Sequence, residues 1–153
     1  MAARSTNRHE RRSQDGAAAV EFALLAPILI LLVVGLLQYG MYFWAAQGGS
    51  NAAREAARRA AVGDLVSCTD FRSYVVDRID SLGDDTTATV SRTYVNGPGN
   101  TAAAVEVGDV VTVTVTFNSF DLNLPIVPFP DNGRVSQQAD ARVENVPTAP
   151  GVC

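Results

Sequence analysis

The sequence predicts an α+β protein. A long N-terminal transmembrane helix extends into a small extracytoplasmic domain, which holds a second helix and a three-stranded antiparallel sheet. Three observations predict this class. The chain carries no charged residue from Phe22 to Gln47, and an alanine-rich helical pattern follows at Ser50–Val62. A clean alternation of apolar and polar residues then occupies Asp109–Asn118. Strands grouped after helices are typical of α+β proteins.

The uncharged run is long enough to cross a bilayer. The 22 residues of Ala23–Trp44 would form a helix of roughly 33 Å, and a hydrocarbon core is about 30 Å thick. Tyr39 and Tyr42 lie toward its outer end, where interfacial aromatic residues are expected. The alternative is a cleavable secretory signal, but such signals have apolar parts of about 7–15 residues. Ala46–Gly48 is a poor cleavage site, so we expect a retained anchor.

The placement of charge predicts the orientation of this anchor. Residues 1–15 carry four arginines and two acids, whereas eight arginines and thirteen acids lie from Gly48 onward. Positively charged flanks stay on the cytoplasmic side of a membrane. We therefore predict a single-pass plasma-membrane protein with a cytoplasmic N-terminus and an extracytoplasmic C-terminal domain. The acidic outer part offers no footprint for nucleic acid.

We divide the chain into four parts on these grounds. Residues 1–16 form a polar, disordered cytoplasmic leader, and residues 17–47 form the transmembrane helix, which begins at Gly16 or Ala17. Residues 48–67 continue the helix after a soft spot at Gly48-Gly49. Residues 68–153 form the extracytoplasmic α+β domain.

The elements of the outer domain follow from periodicity and from turn residues. Apolar residues recur at helical spacing over Phe71–Leu82, with Thr69 or Asp70 as the N-cap and Gly83 as the stop. Three strands are predicted after this helix, at Thr87–Val95, Asp109–Asn118 and Arg134–Glu144. In the middle strand one face is expected to hold Val111, Val113, Val115 and Phe117. An irregular crossover is predicted at Leu122–Pro130 and a C-terminal tail at Pro147–Pro150.

No residue pattern indicates catalysis, a metal site or a cofactor. The only histidine, His9, lies in the predicted leader, so a Ser-His-Asp or Cys-His device is not expected. The acids Asp84-Asp85 and the triplet Asp131–Gly133 lack metal-ligand spacing and are typical of turns. Gly97–Gly99 lacks the strand-to-helix context of a phosphate-binding loop. We expect a protein that is not an enzyme.

The two cysteines, Cys68 and Cys153, both fall in the predicted outer part. An oxidising compartment and an even count favour a disulfide between them. Closing a loop of roughly 85 residues would stabilise the domain by about 4–5 kcal/mol in the chain-entropy model. The alternative is two thiols that stay free or pair with other molecules.

Glu21 is an acid at the membrane end of an apolar helix. A carboxylate there is unfavourable by about 2.5–3.5 kcal/mol at the bilayer centre and by less near the edge. One interpretation is that Glu21 extends to the cytoplasmic interface, near Arg11 and Arg12. The other is that it pairs with a positive group inside an assembled bundle.

Three segments resemble a known family. Gly16 followed by AAAVEF resembles a prepilin-type signal, in which a charged leader and a glycine precede a membrane helix with glutamate at its fifth residue. The longer block GAAAVEFALLAPILILLVVGLLQYG resembles the TadE-like proteins, which are pseudopilins of the tight-adherence (Tad, or Flp) pilus system. NAAREAARRAAVG and GDVVTVTVTF support the resemblance.

The resemblance implies a minor pilin-like subunit that helps assemble or anchor a thin adhesive pilus. A membrane-embedded prepilin peptidase would cut between Gly16 and Ala17. Subunit docking would involve Glu21, whose carboxylate would meet the free N-terminal amine of an adjacent subunit, and Phe22, where the major pilins of this system usually carry tyrosine. The implied partners are the bilayer, the peptidase, other pilin-like subunits and Tad inner-membrane assembly proteins. The alternative is an unprocessed single-pass protein whose outer domain binds an external ligand or surface.

Overall fold

A computed structural model describes residues 7–65, 67–124, 128–146 and 152–153. The chain forms two units, Met1–Gln38 and Tyr39–Cys153. The elements, in order, are helix α1 (Asn7–Ala61), helix α2 (Cys68–Ile79), a 3-10 turn (Asp80–Leu82), strand β1 (Gly83–Val95), strand β2 (Val110–Ser119), a second 3-10 turn (Pro130–Gly133) and strand β3 (Arg134–Arg142). The predicted α+β class is confirmed, with its long apolar helix, its second helix and its antiparallel sheet.

Helix α1 differs from its prediction at two places. It begins at Asn7 rather than at Gly16 or Ala17, so the disorder predicted for residues 7–15 is wrong. Residues 7–15 contain no glycine or proline that would interrupt a helix. Extending an existing helix adds one hydrogen bond for each residue and avoids the unfavourable nucleation step. The soft spot predicted at Gly48-Gly49 is also wrong, because α1 continues through both glycines to Ala61.

The part of α1 in the first unit is an exposed apolar helix. Its large side chains are open from Val20, with 61% of its surface accessible, to Leu37, with 58%. An 18-residue window has a mean hydropathy of 2.7 and no residue buried by protein. In a soluble protein, an apolar helix of this kind would be buried against other elements. The exposed helix has the length and composition to cross a membrane.

The sheet of the second unit has the order β1-β2-β3, and both neighbouring pairs are antiparallel. Val115 of β2 lies opposite Val90 of β1, and Phe117 lies opposite Val135 of β3. The register of β1 shifts between Asp84 and Thr89, which divides β1 into two paired segments. The antiparallel sheet therefore has four paired segments, namely the two parts of β1 together with β2 and β3. The prediction of three strands does not capture this division of β1.

Helix α2 starts earlier and ends earlier than its periodicity predicts. Its N-cap is Ser67, whose side chain accepts a hydrogen bond from the Asp70 backbone N–H at 3.0 Å, rather than Thr69 or Asp70. The helix ends at Ile79 and a 3-10 turn carries the chain to Leu82. Its apolar face is nevertheless the predicted one, since the buried residues are Phe71, Val75 and Ile79.

The core of the second unit lies between α1, α2 and one face of the sheet. The burial of β2 alternates along its whole length, and the four residues predicted to share its inner face are at most 1% exposed. From α1 the core takes mainly small side chains, which let the helix axis approach the sheet closely. The buried alanines of α1 are Ala45, Ala52, Ala53, Ala56, Ala57, Ala60 and Ala61.

Gly48 and Gly49 are the points of closest approach in this interface. A Cβ atom on Gly49 would lie 2.8 Å from Cε1 of Phe117 and 3.4 Å from Cγ of Gln137. A Cβ atom on Gly48 would meet the side chain of Leu82. The two glycines are therefore required for close packing and do not mark a hinge. This explains why they lie within a continuous helix.

Replacing Gly49 with leucine is expected to destabilise the second unit. Because the buried ring of Phe117 occupies the space, the added side chain must displace it, and overpacking of this kind costs about 1–3 kcal/mol. Thermal unfolding of the full chain in detergent, followed by circular dichroism, measures the loss. The matched control is Gly40→Leu, since nothing lies within 4 Å of a Cβ atom there. Equal midpoints for the two variants would contradict this packing role.

Candidate functional site

The predicted processing and docking residues all lie on the exposed helix of the first unit. Gly16, Ala17, Glu21 and Phe22 are exposed, and a Cβ atom on Gly16 would contact nothing within 4 Å. Ala17 and Glu21 are four residues apart, so they share one face of α1 about one turn apart. An N-terminal amine at residue 17 and the carboxylate of residue 21 would thus project from the same side of a helix.

The Glu21 carboxylate forms no ion pair with any described side chain. Elsewhere on α1, Arg59 forms ion pairs with Glu55 at 3.1 Å and with Asp64 at 3.2 Å. The ring of Phe22 is 68% exposed beside Glu21. A bare carboxylate flanked by exposed apolar side chains can be satisfied by water at an interface or by a cation from another chain.

The second predicted site is a disulfide in the outer unit. Cys68, at the first residue of α2, is bonded to Cys153 across 85 residues of sequence. The described part of the chain leaves no free cysteine. The bond attaches the C-terminal residue to the start of α2, next to the loop that leaves α1.

Arg92 is a buried cation beside this disulfide that sequence reasoning missed. It is 1% exposed, and its guanidinium donates to the Leu65 carbonyl at 2.8 Å and lies 4.6 Å from the centre of the Phe71 ring. A second guanidinium nitrogen lies 3.3 Å from the sulfur of Cys153, whose backbone N–H donates to the Arg92 carbonyl at 3.0 Å. The alternation of side chains along a strand could have predicted its burial. Arg92 lies four residues after Ala88 in β1 and therefore shares its inner face.

Asp109 is a second buried charged residue in the described part of the chain, and it organises the loop between β1 and β2. One carboxylate oxygen accepts the Gly97 N–H at 2.8 Å. The other accepts the Glu106 N–H and the Asn100 side-chain amide, both at 2.8 Å. The hydrogen bonds from the Glu106 and Gly97 backbone lower the pKa of the Asp109 carboxyl below its ordinary value. The sequence predicted only a turn here.

The disulfide, Arg92 and Asp109 each hold a loop or chain end of the second unit in place. Among the described residues no three His, Cys, Asp or Glu side chains lie together as a metal site would require. Asp84, which was predicted to lie in a turn, belongs to β1, and its side chain accepts the Thr86 N–H at 3.0 Å. Asp131 lies in the second 3-10 turn with a φ of 46°.

Comparison with known proteins points to one family. Residues 16–58 match the family model described as TadE-like protein. The resemblance to TadE-like proteins is confirmed. No curated protein and no solved structure matches the chain significantly.

The TadE-like segment joins the two parts of α1 that the sequence singled out. It starts at Gly16, at the predicted cleavage site, and contains Glu21 and the whole apolar run. It ends at Arg58, inside the alanine-rich stretch that packs on the sheet. Strand β2, whose sequence also supported the resemblance, lies outside the matched residues.

Removal of the disulfide is expected to lower the stability of the second unit by about 2–5 kcal/mol. The variant is Cys68→Ser with Cys153→Ser, compared with the oxidised native chain by chemical unfolding in detergent. The structure also predicts that a thiol reagent labels no cysteine in the native chain until a reductant is added. Labelling of two thiols per chain before reduction would show that the pairing is wrong.

Asp109→Asn is expected to lower the thermal midpoint at pH 7, because an amide group cannot accept all three hydrogen bonds. The folded pKa is lowered, so this stabilisation is complete above the unfolded value of about 3.9. It is lost as the pH falls through the lower folded pKa. The difference between native and variant midpoints should therefore shrink in acid.

Asp140→Asn provides the matched control, since Asp140 is exposed on β3. Its midpoint should follow that of the native chain across the same pH series. A constant difference between the native chain and Asp109→Asn from pH 7 to pH 2 would contradict the role assigned to the Asp109 carboxylate.

Proposed function

We propose that this protein is a TadE-like pseudopilin or minor pilin, a membrane-anchored structural or accessory subunit of Tad (Flp-type) pilus assembly in surface adhesion. The observation that carries the proposal is the family match over residues 16–58, which contains the candidate processing site, Glu21 and the membrane-spanning helix. Its role is mechanical, and we assign it no catalysis and no cofactor.

In this proposal a prepilin peptidase cuts between Gly16 and Ala17 and leaves a charged amine on Ala17. The carboxylate of Glu21 then pairs with the N-terminal amine of an adjacent subunit. Each charge is unfavourable alone in the bilayer, whereas the pair is tolerated, so the pairing favours subunits packed in register. The exposure of Glu21, and its lack of an ion pair with any described side chain, support this reading.

The proposed location is the plasma membrane, with the N-terminus in the cytoplasm and the second unit outside. Four arginines against two acids in residues 1–15 support this orientation. The proposed partners are the lipid bilayer, the prepilin peptidase, other pilin-like subunits and Tad inner-membrane assembly proteins. The acidic outer part gives no basis for a nucleic-acid partner.

Intact-mass measurement of the chain extracted from its native membrane tests the processing step. We expect an N-terminus at Ala17. An N-terminus at Met1 or Ala2 would overturn the processed mechanism and favour an unprocessed single-pass protein whose outer domain binds an external ligand or surface.

Glu21→Ala tests the pairing step. We expect pilus output and co-purification of pilin-like subunits to fall at least about tenfold, since breaking one partner of a buried ion pair costs about 3–5 kcal/mol. The control is Glu10→Ala, which removes an acid from the leader and leaves the mature chain unchanged. Wild-type output and association from Glu21→Ala would show that the pairing role is wrong.

A further inference from the structure

The end of strand β2 returns the chain toward the middle of α1. At one end of the sheet, the Val143 N–H donates to the Asp109 carbonyl at 2.8 Å, and the Glu144 N–H donates to the Ala61 carbonyl at 2.8 Å. Further along β2, Phe117 faces Gly49. Strand β2 therefore runs antiparallel to α1, and the segment after Ser119 emerges on the side of the helix that leads toward Tyr39.

Two contacts attach that segment to α1. The Tyr39 hydroxyl donates a hydrogen bond to the Pro128 carbonyl at 2.8 Å. The Tyr42 ring lies edge-on to the Phe129 ring, with 5.6 Å between the ring centres, and also contacts the Phe43 ring at 5.9 Å. Helix α1 therefore has protein packed against it at Tyr39 and Tyr42.

Counting residues along α1 places the expected end of the membrane span near Tyr39 and Tyr42. If the charged residue Glu21 marks one edge, a hydrocarbon core of about 30 Å takes about 20 helical residues, from Phe22 to Met41. Tyr39 and Tyr42 are then interfacial, as their amphipathic rings favour. On this count, the residues that contact Pro128 and Phe129 are expected at the depth of the lipid headgroups.

Large apolar side chains are exposed on α1 just after Tyr42 and on the segment after β2. Phe43 is 63% exposed and Trp44 is 51% exposed on α1, while Phe120 is 48% and Leu122 is 46% exposed on the segment after β2. In water such residues are unfavourable, at about 25 cal/mol for each Å² of apolar surface. Aromatic rings with polar neighbours are the residues that membrane interfaces select.

We propose that Phe43, Trp44, Phe120 and Leu122 form a lipid-contacting collar. The collar lies in the interfacial layer of the membrane, on the side where the span ends. The bilayer is the chosen occupant because Phe43 and Trp44 directly follow the span in sequence, and the segment after β2 contacts α1 at Tyr39 and Tyr42. The collar holds the second unit at a fixed depth. This inference rests on the membrane anchoring in the proposed function, and it does not depend on cleavage or on pilus assembly.

Depth-dependent quenching of tryptophan fluorescence tests the collar. The full chain is placed in nanodiscs, one chain per disc, made from phosphatidylcholine brominated near the headgroup end of its acyl chains. Trp44→Phe removes the only tryptophan, and single tryptophans are then introduced as Phe120→Trp or Leu122→Trp. The matched control is Val107→Trp, because Val107 is 66% exposed beside Gly108, at the opposite end of the sheet.

We expect Phe120→Trp and Leu122→Trp to be quenched at least about twofold more strongly than Val107→Trp, as interfacial residues are. A fourth variant, Leu29→Trp in deeply brominated lipid, reports insertion of the span. If Leu29→Trp is quenched and the two collar variants match Val107→Trp, the collar is wrong and the anchor stands. If Leu29→Trp is not quenched, the anchor and the collar both fail.

Discussion

The close approach of α1 to the sheet is the constraint on which the rest of the outer unit depends. Gly49 leaves space for the Phe117 ring, Gly48 leaves space for Leu82, and the alanines of α1 keep the distance short along the rest of the interface. The buried hydrophobic residues of α1 in this interface are alanines, and larger apolar side chains of the core come from other elements, such as Phe71 and Ile79 on α2 and Phe117 on β2. Helix α1 thus has a segment long and apolar enough to cross a membrane in the first unit, and it contributes a face of the core in the second.

Buried polar groups specify the positions of backbone segments that contacts between small apolar side chains leave less defined. The guanidinium of Arg92 links the Leu65 carbonyl and the Phe71 ring near the disulfide, while Asp109 ties the β1–β2 loop to the start of β2. Both groups are 1% exposed, so their hydrogen bonds are required and not optional. Alanine contacts vary little with a small slide of the helix, whereas hydrogen bonds specify one arrangement.

Prediction from sequence succeeded for features that depend on a single hydrophobic periodicity or on the composition of a single segment. The alternation in β2 identified its inner face, because a strand has only two faces, and the helical spacing of Phe71 and Val75 identified that of α2. The boundaries were less predictable. Ser67 caps α2 in place of Thr69 or Asp70, since all three residue types are good caps and only the chain path selects one.

The sequence by itself determined the uncharged span, the position of Glu21 in front of it and the TadE-like segment, because these depend on composition and order along one helix. Only the tertiary structure decided why Gly48 and Gly49 are glycines, why Arg92 can be buried, and which residues meet Tyr39. Each of these depends on atoms that are distant in sequence. No local pattern specifies a neighbour that the fold brings from elsewhere in the chain.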